Sequence, residues 1–369
     1  MALSQTEGDF LVLHEFIQAA HKKLDRNIWD YLVGATATET TLLRNRLALD
    51  RIAFRPRVLR DVTSIDASHN FFGHVTRLPV VLAPIGGLEA LAENGGVSVA
   101  RAASRFGVPF ILSSVSDAGM RTVGEAATGT KIFQLYTRGD AAWVDEQVRR
   151  AMDIGYDAFC ITVDSAMYSR RERDIAKRYG KPWRGRGGAG GSTGMQFQAA
   201  FNWSDVGRIR DKFNVRLILK GIGTGEDADL ACEEGVECVY ISNHGGRQLD
   251  HCLVAIDVLP EVVSAVGGRA KVIVDGGFNR GTDIVKALAL GADLVGIGRI
   301  HCHGLIAAGS EGIIRVLELL EAEITECLGL LGVTDLAGLN KKHVCKGEPV
   351  YPVHLHSAFP LMQLPRDFY

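Results

Sequence analysis

The stretch at 242–250 reads Ser-Asn-His-Gly-Gly-Arg-Gln-Leu-Asp and directly follows a short apolar run at 238–241. The imidazole of His244 can take or give a proton near neutral pH, and the guanidinium of Arg247 can hold a carboxylate. The two glycines between them let the backbone turn sharply at a strand end. The segment therefore predicts a site that moves a proton beside a bound small anion.

Composition limits the partners of such a site. The chain has 369 residues, a net charge of −2 and 47% hydrophobic residues, so we expect a substantial core and neither nucleic acid nor an acidic membrane as a partner. No apolar run reaches the roughly 18 residues that span a bilayer. Seven scattered cysteines without a C-x-x-C pair and a polar start without a signal peptide predict a cytoplasmic protein with reduced thiols.

Eight short apolar runs alternate with helical segments, and most of the runs are continuous rather than alternating, as in parallel strands buried on both faces. The predicted strands are 78–83, 109–113, 131–135, 158–163, 216–220, 238–242, 271–275 and 294–298, with helical periodicity at 141–152, 225–234 and 282–290. This order predicts an α/β fold, a (β/α)8 TIM barrel. An open, doubly wound sheet is the competing interpretation.

We interpret 1–369 as a single domain with three parts. An N-terminal helical segment covers 1–77, the barrel covers 78–309, and extra C-terminal helices followed by a tail cover 310–369. The glycine-rich stretch 184–194 lies between the fourth and fifth strands. Its position favours a lid loop on the catalytic face over a nucleic-acid-binding tract.

Polar residues follow the predicted strands where barrels carry their chemistry. Asp164, after the fourth strand, could orient His244 as a base. Glycines and Arg299 after the last two strands favour a phosphate site over simple tight turns. Lys220 leaves three roles open: a Schiff-base nucleophile, a group that stabilises negative charge on a cofactor, or a structural ion pair. The triplet at 301–303 and the tail histidines 354 and 356 lack the spacing of a metal site, so no metal is expected.

Several motifs occur together in one order, and together they resemble a known family. They are 242–250, Asp275-Gly276-Gly277 with 280–283, 133–136, and 162–164 with 170–172. From about residue 10 to 332 the chain resembles the FMN-dependent α-hydroxy-acid oxidases and dehydrogenases, which include glycolate oxidase, lactate oxidase and mandelate dehydrogenase. The resemblance implies oxidation of an (S)-2-hydroxy acid to the 2-keto acid, with the reduced flavin reoxidised by O2 to give H2O2. It also implies a homotetramer.

The resemblance also implies a role for each matching residue. His244 is the base and Asp164 its partner, Arg247, Tyr31 and Arg171 hold the substrate, and Tyr136 places its hydroxyl near the reacting carbon. Whether His244 takes the α-proton or the hydroxyl proton stays open. Lys220 lies near the flavin ring, which removes the Schiff-base interpretation. The remaining cofactor-binding residues are Pro84, Ile85, Gly86, Ser113, Gln134, Thr162, Ser242, Asp275, Gly277, Gly298 and Arg299.

Three departures from the family pattern bear on function. Asn279 stands where the family usually has an arginine, which removes a cationic contact near the FMN phosphate. Gly86 replaces the alanine common in the oxidases, so a non-oxygen electron acceptor or an oxidative decarboxylation is an alternative. Val115 replaces a bulky aromatic residue and predicts room for a larger substrate side chain. A flavin-dependent isomerase and a non-catalytic flavin-binding protein are the more remote alternatives.

Overall fold

The structure is a computed structural model that describes residues 10–180, 192–350, 352–354 and 356–363. The chain begins with three helices and three short strands that precede the barrel. They are α1 (Leu13–Lys23), α2 (Arg26–Val33), α3 (Thr40–Asp50), β1 (Ile52–Phe54), β2 (His69–Phe71) and β3 (His74–Thr76). The Asp25 carboxylate caps α2 by accepting from the backbone amides of Asn27 and Ile28, and this fixes where that helix begins.

Eight parallel strands close into a barrel, which confirms the predicted fold. They are β4 (Val80–Leu82), β5 (Phe110–Ser113), β6 (Lys131–Leu135), β7 (Ala158–Thr162), β8 (Leu217–Ile222), β9 (Cys238–Ile241), β10 (Lys271–Val274) and β11 (Leu294–Ile297). Each strand pairs with the next along the chain, and β11 pairs with β4. All strand carboxyl ends therefore open on one face, where barrel enzymes carry their sites.

Helices follow every barrel strand. They are α4 (Leu88–Leu91), α5 (Gly95–Phe106), α6 (Met120–Glu125), α7 (Ala141–Ile154), α8 (Glu172–Ala176), α9 (Ser192–Ala200), α10 (Trp203–Lys212), α11 (Gly225–Glu233), α12 (Ala255–Val266), α13 (Gly281–Ala289) and α14 (Arg299–Leu331). A kink at Ala308 and Gly309 divides α14. The predicted lid at 184–194 lies largely outside the described residues. Within the described ranges, no helix is long and apolar enough to cross a membrane.

The barrel interior is a separate apolar cluster filled by side chains from the strands. Ala158, Cys238 and Leu294, the first residues of their strands, belong to this cluster, and so does Phe71 from the β2–β3 hairpin. Phe71 is fully buried. The hairpin therefore closes the amino-terminal end of the barrel, opposite the face that carries the site.

Two details differ from the sequence prediction. The fifth barrel strand does not end at Lys220, because β8 continues to Ile222 through an irregular register at Gly221, whose φ is +114°. The segment 1–77 is not wholly helical, because it contains β1 and the β2–β3 hairpin. Strands of three residues are too short to show the alternation by which a strand is recognised.

The C-terminal tail packs against the rest of its own chain. β12 (Val344–Lys346) pairs antiparallel with β1, and Phe359 is buried against the rest of the molecule. Met362 also packs on the core. The described tail residues therefore belong to the same packed unit as the barrel.

Candidate active site

One cavity occupies the carboxyl-terminal face of the barrel and gathers most of the residues singled out from the sequence. Its lining includes Tyr31, Pro84, Ile85, Gly86, Tyr136, Arg171, Lys220, His244, Arg247, Asp275, Gly277, Gly298 and Arg299. The remaining predicted residues are not part of this lining. Asp164 contacts His244, Ser242 contacts Lys220, and Thr162 pairs with Lys220 in register. Ser113 and Gln134 pair with each other on β5 and β6. The N-terminal segment contributes Tyr31, so the site is built from more than barrel loops.

His244 lies between a carboxylate and a phenol. Its Nδ1 is 3.0 Å and 3.1 Å from the two Asp164 carboxylate oxygens, and its Nε2 is 3.2 Å from the Tyr136 hydroxyl. Burial lowers the pKa of His244 below its ordinary 6.5, and the Asp164 charge offsets only part of this effect. The imidazole is therefore neutral at pH 7, with Nδ1–H donating to Asp164 and a lone pair at Nε2 ready to accept a proton.

Tyr136 is a neutral phenol at neutral pH. Burial raises its pKa well above the usual range, and the nearby Asp164 carboxylate raises it further. The hydroxyl is therefore a hydrogen-bond donor and acceptor beside His244, not an anion.

A bulge in β8 makes room for Asp164. A Cβ at Gly221 would lie 2.6 Å from the Asp164 Cβ and 2.7 Å from its backbone nitrogen, a distance that no side chain tolerates. Glycine at this position, with φ +114°, lets β8 pass close to the Asp164 backbone. The position of the carboxylate behind His244 thus depends on a residue that itself has no side chain.

The N-terminal segment holds the loop that carries His244. The amides of Asn45 in α3 and Asn243 form two reciprocal hydrogen bonds of 3.1 Å and 2.8 Å, and the Thr36 amide donates to the Gly246 carbonyl. His244 has φ +58°, a left-handed conformation that is uncommon for a residue with a side chain. The surrounding contacts hold this strained backbone in place.

Arg247 lies in a cationic corner of the cavity. Its Nη1 donates to the backbone carbonyls of Tyr31 and Gly34 at 2.6 Å and 3.0 Å, and its Cζ lies 4.8 Å from the centre of the Tyr31 ring. Burial lowers the pKa of Arg247 to about 9, and nearby Arg171 contributes to this shift. Arg171 has a buried Nε with no hydrogen-bond partner among the described residues. Two neighbouring guanidinium groups in one cavity favour the binding of an anion here.

Lys220, Ser242 and Asp275 form a buried polar chain beneath the cavity. The Lys220 ammonium donates to the Ser242 hydroxyl at 2.7 Å, and that hydroxyl donates to an Asp275 oxygen at 2.6 Å. Burial opposes the charge on Lys220, but the carboxylates of Asp275 and Asp164 raise its pKa above the ordinary value. Lys220 is therefore a fixed cation and not a neutral amine poised as a nucleophile.

Two strand ends beneath the cavity present buried polar groups without partners. Ser113 and Gln134 face each other in register on β5 and β6, and Thr162 faces Lys220 on β7 and β8. In the described part of the chain, neither the amide oxygen nor the amide nitrogen of Gln134 has a hydrogen-bond partner, and the same holds for the Thr162 hydroxyl. Such groups are costly unless a ligand satisfies them.

The loops after β10 and β11 form a concave end of the same cavity. Gly276 and Gly277 adopt φ of +112° and +88°, and a Cβ on either would press against Asn45. Arg299 at the start of α14 donates to the carbonyls of Leu32, Gly34 and Gly245. Tight glycine turns, a helix N-terminus and a guanidinium together suit a phosphate group.

Gly86 lies against Val115 on the wall of the cavity. A Cβ at Gly86 would lie 2.5 Å from the Val115 Cγ2, while the Gly86 carbonyl accepts from the Tyr31 hydroxyl at 3.0 Å. The Val115 methyl therefore fills the space into which an alanine side chain at 86 would project.

The histidines of 301–303 form no metal site with their surroundings. His301 Nδ1 donates to the Ile297 carbonyl at 2.7 Å, and burial lowers its pKa to about 4. Within the ranges that the structure describes, no group of three or more His, Cys, Asp or Glu side chains could hold a metal ion.

Four cavity or supporting residues were not predicted from the sequence: Arg46, Gly221, Asn45 and His354. Arg46 pairs with Asp283 through two hydrogen bonds of 2.7 Å, and it also reaches the Gly277 carbonyl at 3.4 Å. Asn45 and Leu49 of the same helix lie against Gly277, but the sequence pattern does not say what this side of α3 contacts. His354 lines the cavity from the tail.

Comparison with known proteins agrees with this geometry. Residues 20–346 match the family model for FMN-dependent dehydrogenase. The chain is 37% identical to glycolate oxidase 3 of Oryza sativa subsp. indica over 347 residues, which covers 89% of this chain and 95% of that protein. It is 35% identical to the L-lactate oxidase of Nostoc sp. over 351 residues, which covers 89% of this chain and 96% of the oxidase.

Solved structures show the same architecture. A soluble mutant of the membrane-associated (S)-mandelate dehydrogenase from Pseudomonas putida superposes with a TM-score of 0.86 at 32% identity, covering 92% of this chain and all of that one. Mandelate oxidase superposes with a TM-score of 0.85 at 35% identity, covering 93% of this chain and all of that one. With this likeness extending over nearly the whole chain, the protein belongs to the FMN-dependent dehydrogenase family.

Proposed function

We propose that this protein oxidises an (S)-2-hydroxy acid to the corresponding 2-keto acid with FMN. The observation that carries the proposal is the pairing of His244 with Asp164 at 3.0 Å, in a cavity whose other wall holds Arg247 and Arg171. A neutral imidazole backed by a carboxylate is a proton acceptor, and the two guanidinium groups suit a carboxylate. Both features are needed to dehydrogenate a hydroxy acid held by its acid group.

The unpartnered groups beneath the cavity fit the cofactor. The Gln134 amide and the Thr162 hydroxyl would hydrogen-bond the flavin ring, together with Ser113 and the backbone of 84–86. Lys220, fixed as a cation by Asp275, would stabilise negative charge on that ring. Gly277, Gly298 and Arg299 would hold the phosphate. FMN supplies the acceptor for two electrons, which none of the amino-acid side chains provides.

The side chains of the cavity have different roles in the proposed reaction. Arg247 and Arg171 bind the substrate carboxylate, with Tyr31 beside them, and this holds the reacting carbon in one orientation. His244 accepts a proton at Nε2, and Asp164 stabilises the resulting imidazolium through Nδ1–H. The Tyr136 hydroxyl, 3.2 Å from Nε2, positions the substrate hydroxyl group beside the base.

The substrate side chain is proposed to be aromatic or a long aliphatic group. Val115, Tyr168 and Met195 line the cavity, and Val115 is small for a wall residue. A spectrophotometric screen of glycolate, lactate, mandelate and long-chain 2-hydroxy acids tests this. The highest kcat/KM should fall on mandelate or a long-chain acid, whereas a preference for glycolate would refute the proposed size class.

Dioxygen is the proposed electron acceptor. Glycolate oxidase and L-lactate oxidase among the curated relatives support it, and the Val115 methyl fills the space beside Gly86 that an alanine would occupy. The test is to reduce the enzyme with substrate without air and then mix it with air-saturated buffer. Rapid return of the yellow colour with formation of H2O2 is expected. Flavin that stays reduced for many seconds would identify a dehydrogenase with another acceptor.

Assembly and location follow as further proposals. We expect a cytoplasmic homotetramer, and light scattering of the purified holoenzyme should give four times the monomer mass. Fractionation of cells that express the tagged protein should place it in the soluble cytoplasmic fraction. A monomeric mass or an organellar fraction would overturn the respective proposal.

A further inference from the structure

Arg138 lies in the loop between β6 and α7, on the carboxyl-terminal face of the barrel. It lines the active-site cavity together with His244 and Arg247. Its Cζ lies 5.4 Å from the centre of the Tyr136 ring, and the Tyr136 hydroxyl lies 3.2 Å from His244 Nε2. One tyrosine side chain therefore contacts both Arg138 and the proposed base.

The Arg138 guanidinium has no acceptor in the described part of the chain. Its Nε is buried without a hydrogen-bond partner, and no carboxylate of the described residues forms an ion pair with it. The nearest acid along the sequence, Asp140, instead caps α7 by accepting from the Trp143 amide at 2.8 Å. A buried N–H group of a cation costs free energy unless a ligand accepts its hydrogen bond.

The other cations of the cavity already have anionic partners, present or proposed. Among the described residues, the lining has one carboxylate, Asp275, and six lysine or arginine side chains: Arg46, Arg138, Arg171, Lys220, Arg247 and Arg299. Arg46 pairs with Asp283, and Lys220 pairs with Asp275. The proposed function assigns Arg299 to the FMN phosphate, and it assigns Arg247 and Arg171 to the carboxylate beside the reacting carbon. Arg138 is then the cation of the lining that has no anion.

A second cavity adjoins the active site at Arg138. Val115, Tyr136 and Arg138 line both cavities, and the second one is also lined by the aromatic side chains of Trp143 and Phe197. A substrate side chain that extends past Val115 would therefore meet apolar walls along its length and a guanidinium beside them. Apolar walls with one placed charge are typical of a site that selects a ligand by the group at its end.

We propose that the preferred substrate is a 2-hydroxy acid with a second acidic group at the far end of its side chain, and that Arg138 binds this second group. The inference rests on the proposed function, in which Arg247 and Arg171 hold the first carboxylate. Arg138 donates two parallel N–H···O hydrogen bonds to the distal carboxylate. This narrows the aromatic or long aliphatic side chain proposed above to one that ends in an acid.

The test uses pairs of substrates that differ only in the distal acid: 2-hydroxyhexanoate and 2-hydroxyhexanedioate, 2-hydroxyoctanoate and 2-hydroxyoctanedioate, and mandelate and 4-carboxymandelate. In the wild-type holoenzyme, kcat/KM for the diacid of at least one pair should exceed that of its partner by about ten- to a hundredfold, the range of hydrogen bonds to a charged group. Arg138→Gln should remove most of this ratio. Arg138→Lys keeps the charge without the planar fork and should retain part of it.

Two further variants separate a charge effect from a packing effect. Arg138→Glu should transfer the preference to a 2-hydroxy acid of the same length that ends in an amino group, which loss of packing alone would not do. Arg150→Gln is the matched control, because Arg150 lines the second cavity but not the active-site cavity. It should keep the wild-type ratio.

A binding measurement judges Arg138 without turnover. Hexanedioate and hexanoate lack the hydroxyl group that reacts, and their binding to the oxidised holoenzyme is followed by the change in flavin absorbance. The diacid should bind more tightly to the wild type, and Arg138→Gln should remove the difference. Equal treatment of both members of every pair by the wild type would overturn the proposal, as would an equal loss for both members in Arg138→Gln. Failure of every hydroxy acid to reduce the flavin would count against the proposed function instead, so either idea can fail alone.

Discussion

The chemistry of this site depends on one imidazole whose two nitrogens have different partners. Asp164 fixes the Nδ1 proton of His244, and the cavity side of the ring presents Nε2. Burial, not the carboxylate, sets the direction of the pKa shift, so the base is free at neutral pH. The same carboxylate then stabilises the charge that forms when the proton arrives.

Removal of the imidazole tests this assignment. His244→Ala should lower the rate of flavin reduction by about a hundredfold to ten-thousandfold, the contribution of a positioned base. Anaerobic stopped-flow mixing with substrate measures this rate directly, and FMN content measured on the same sample shows that the cofactor stays bound. Turnover close to that of the wild type would show that another group takes the proton.

The pH dependence follows from the lowered pKa of His244. The protonated imidazole cannot accept a proton, so kcat/KM should fall as the pH drops through a pKa below 6.5 and should be constant near neutrality. Asp164→Asn removes the group that raises this pKa, so the acid limb should move to still lower pH while the maximum rate falls. An acid limb unchanged in Asp164→Asn would contradict the pairing.

At the scale of elements, the site depends on how β8 passes Asp164 and on how α2 and α3 hold the loop after β9. The continuous apolar runs of the barrel strands are visible in the sequence because both faces of a parallel strand are buried. The bulge at Gly221 is not visible, because a single glycine in a strand has many explanations. Likewise, the reciprocal pairing of Asn45 and Asn243 joins positions 198 residues apart, which no local pattern encodes.

A substitution in the β8 bulge tests this positioning. Gly221→Ala would force the new methyl against Asp164, so we expect a loss of about a hundredfold in kcat, typical of a displacement near 1 Å, and a shift of the acid limb like that of Asp164→Asn. Gly223→Ala is the matched control, because no atom of the described chain lies within 4 Å of its added Cβ. Equal activity of the two variants would show that the bulge has no role in placing the carboxylate.

At the scale of the whole molecule, the side chain that closes the barrel and the residues of the active site lie at opposite ends of the barrel. The order of eight strands and the residues at their carboxyl ends were predictable, because burial and strand-end polarity leave a local pattern. The contributions of the β2–β3 hairpin and of the C-terminal tail were not predictable from the sequence. Phe71 and His354 come from short irregular segments whose destination depends on the assembled barrel, so the sequence alone did not predict the closing side chain or the additional cavity residue.

Truncation of Phe71, the side chain that closes the amino-terminal end of the barrel, should change stability without changing catalysis. Phe71→Ala should lower the free energy of unfolding by about 3–5 kcal/mol, the usual effect of removing a buried phenyl ring, with little change in kcat for the folded enzyme. Denaturant unfolding of the holoenzyme measures the loss. Val75→Ala, exposed in the same hairpin, should change stability by less than about 0.5 kcal/mol. A large fall in kcat for Phe71→Ala would show that the two ends are coupled.

The central claim is that the cationic corner binds a 2-hydroxy acid and that His244 is the base for its dehydrogenation. The most direct measurement is anaerobic mixing of the wild-type FMN enzyme with each enantiomer of a panel of 2-hydroxy acids, followed at the visible flavin absorbance. We predict that at least one (S)-acid bleaches the flavin in a single turnover and yields one equivalent of keto acid, while its (R)-enantiomer does not. A flavin that keeps its full absorbance with every hydroxy acid tested would contradict the account.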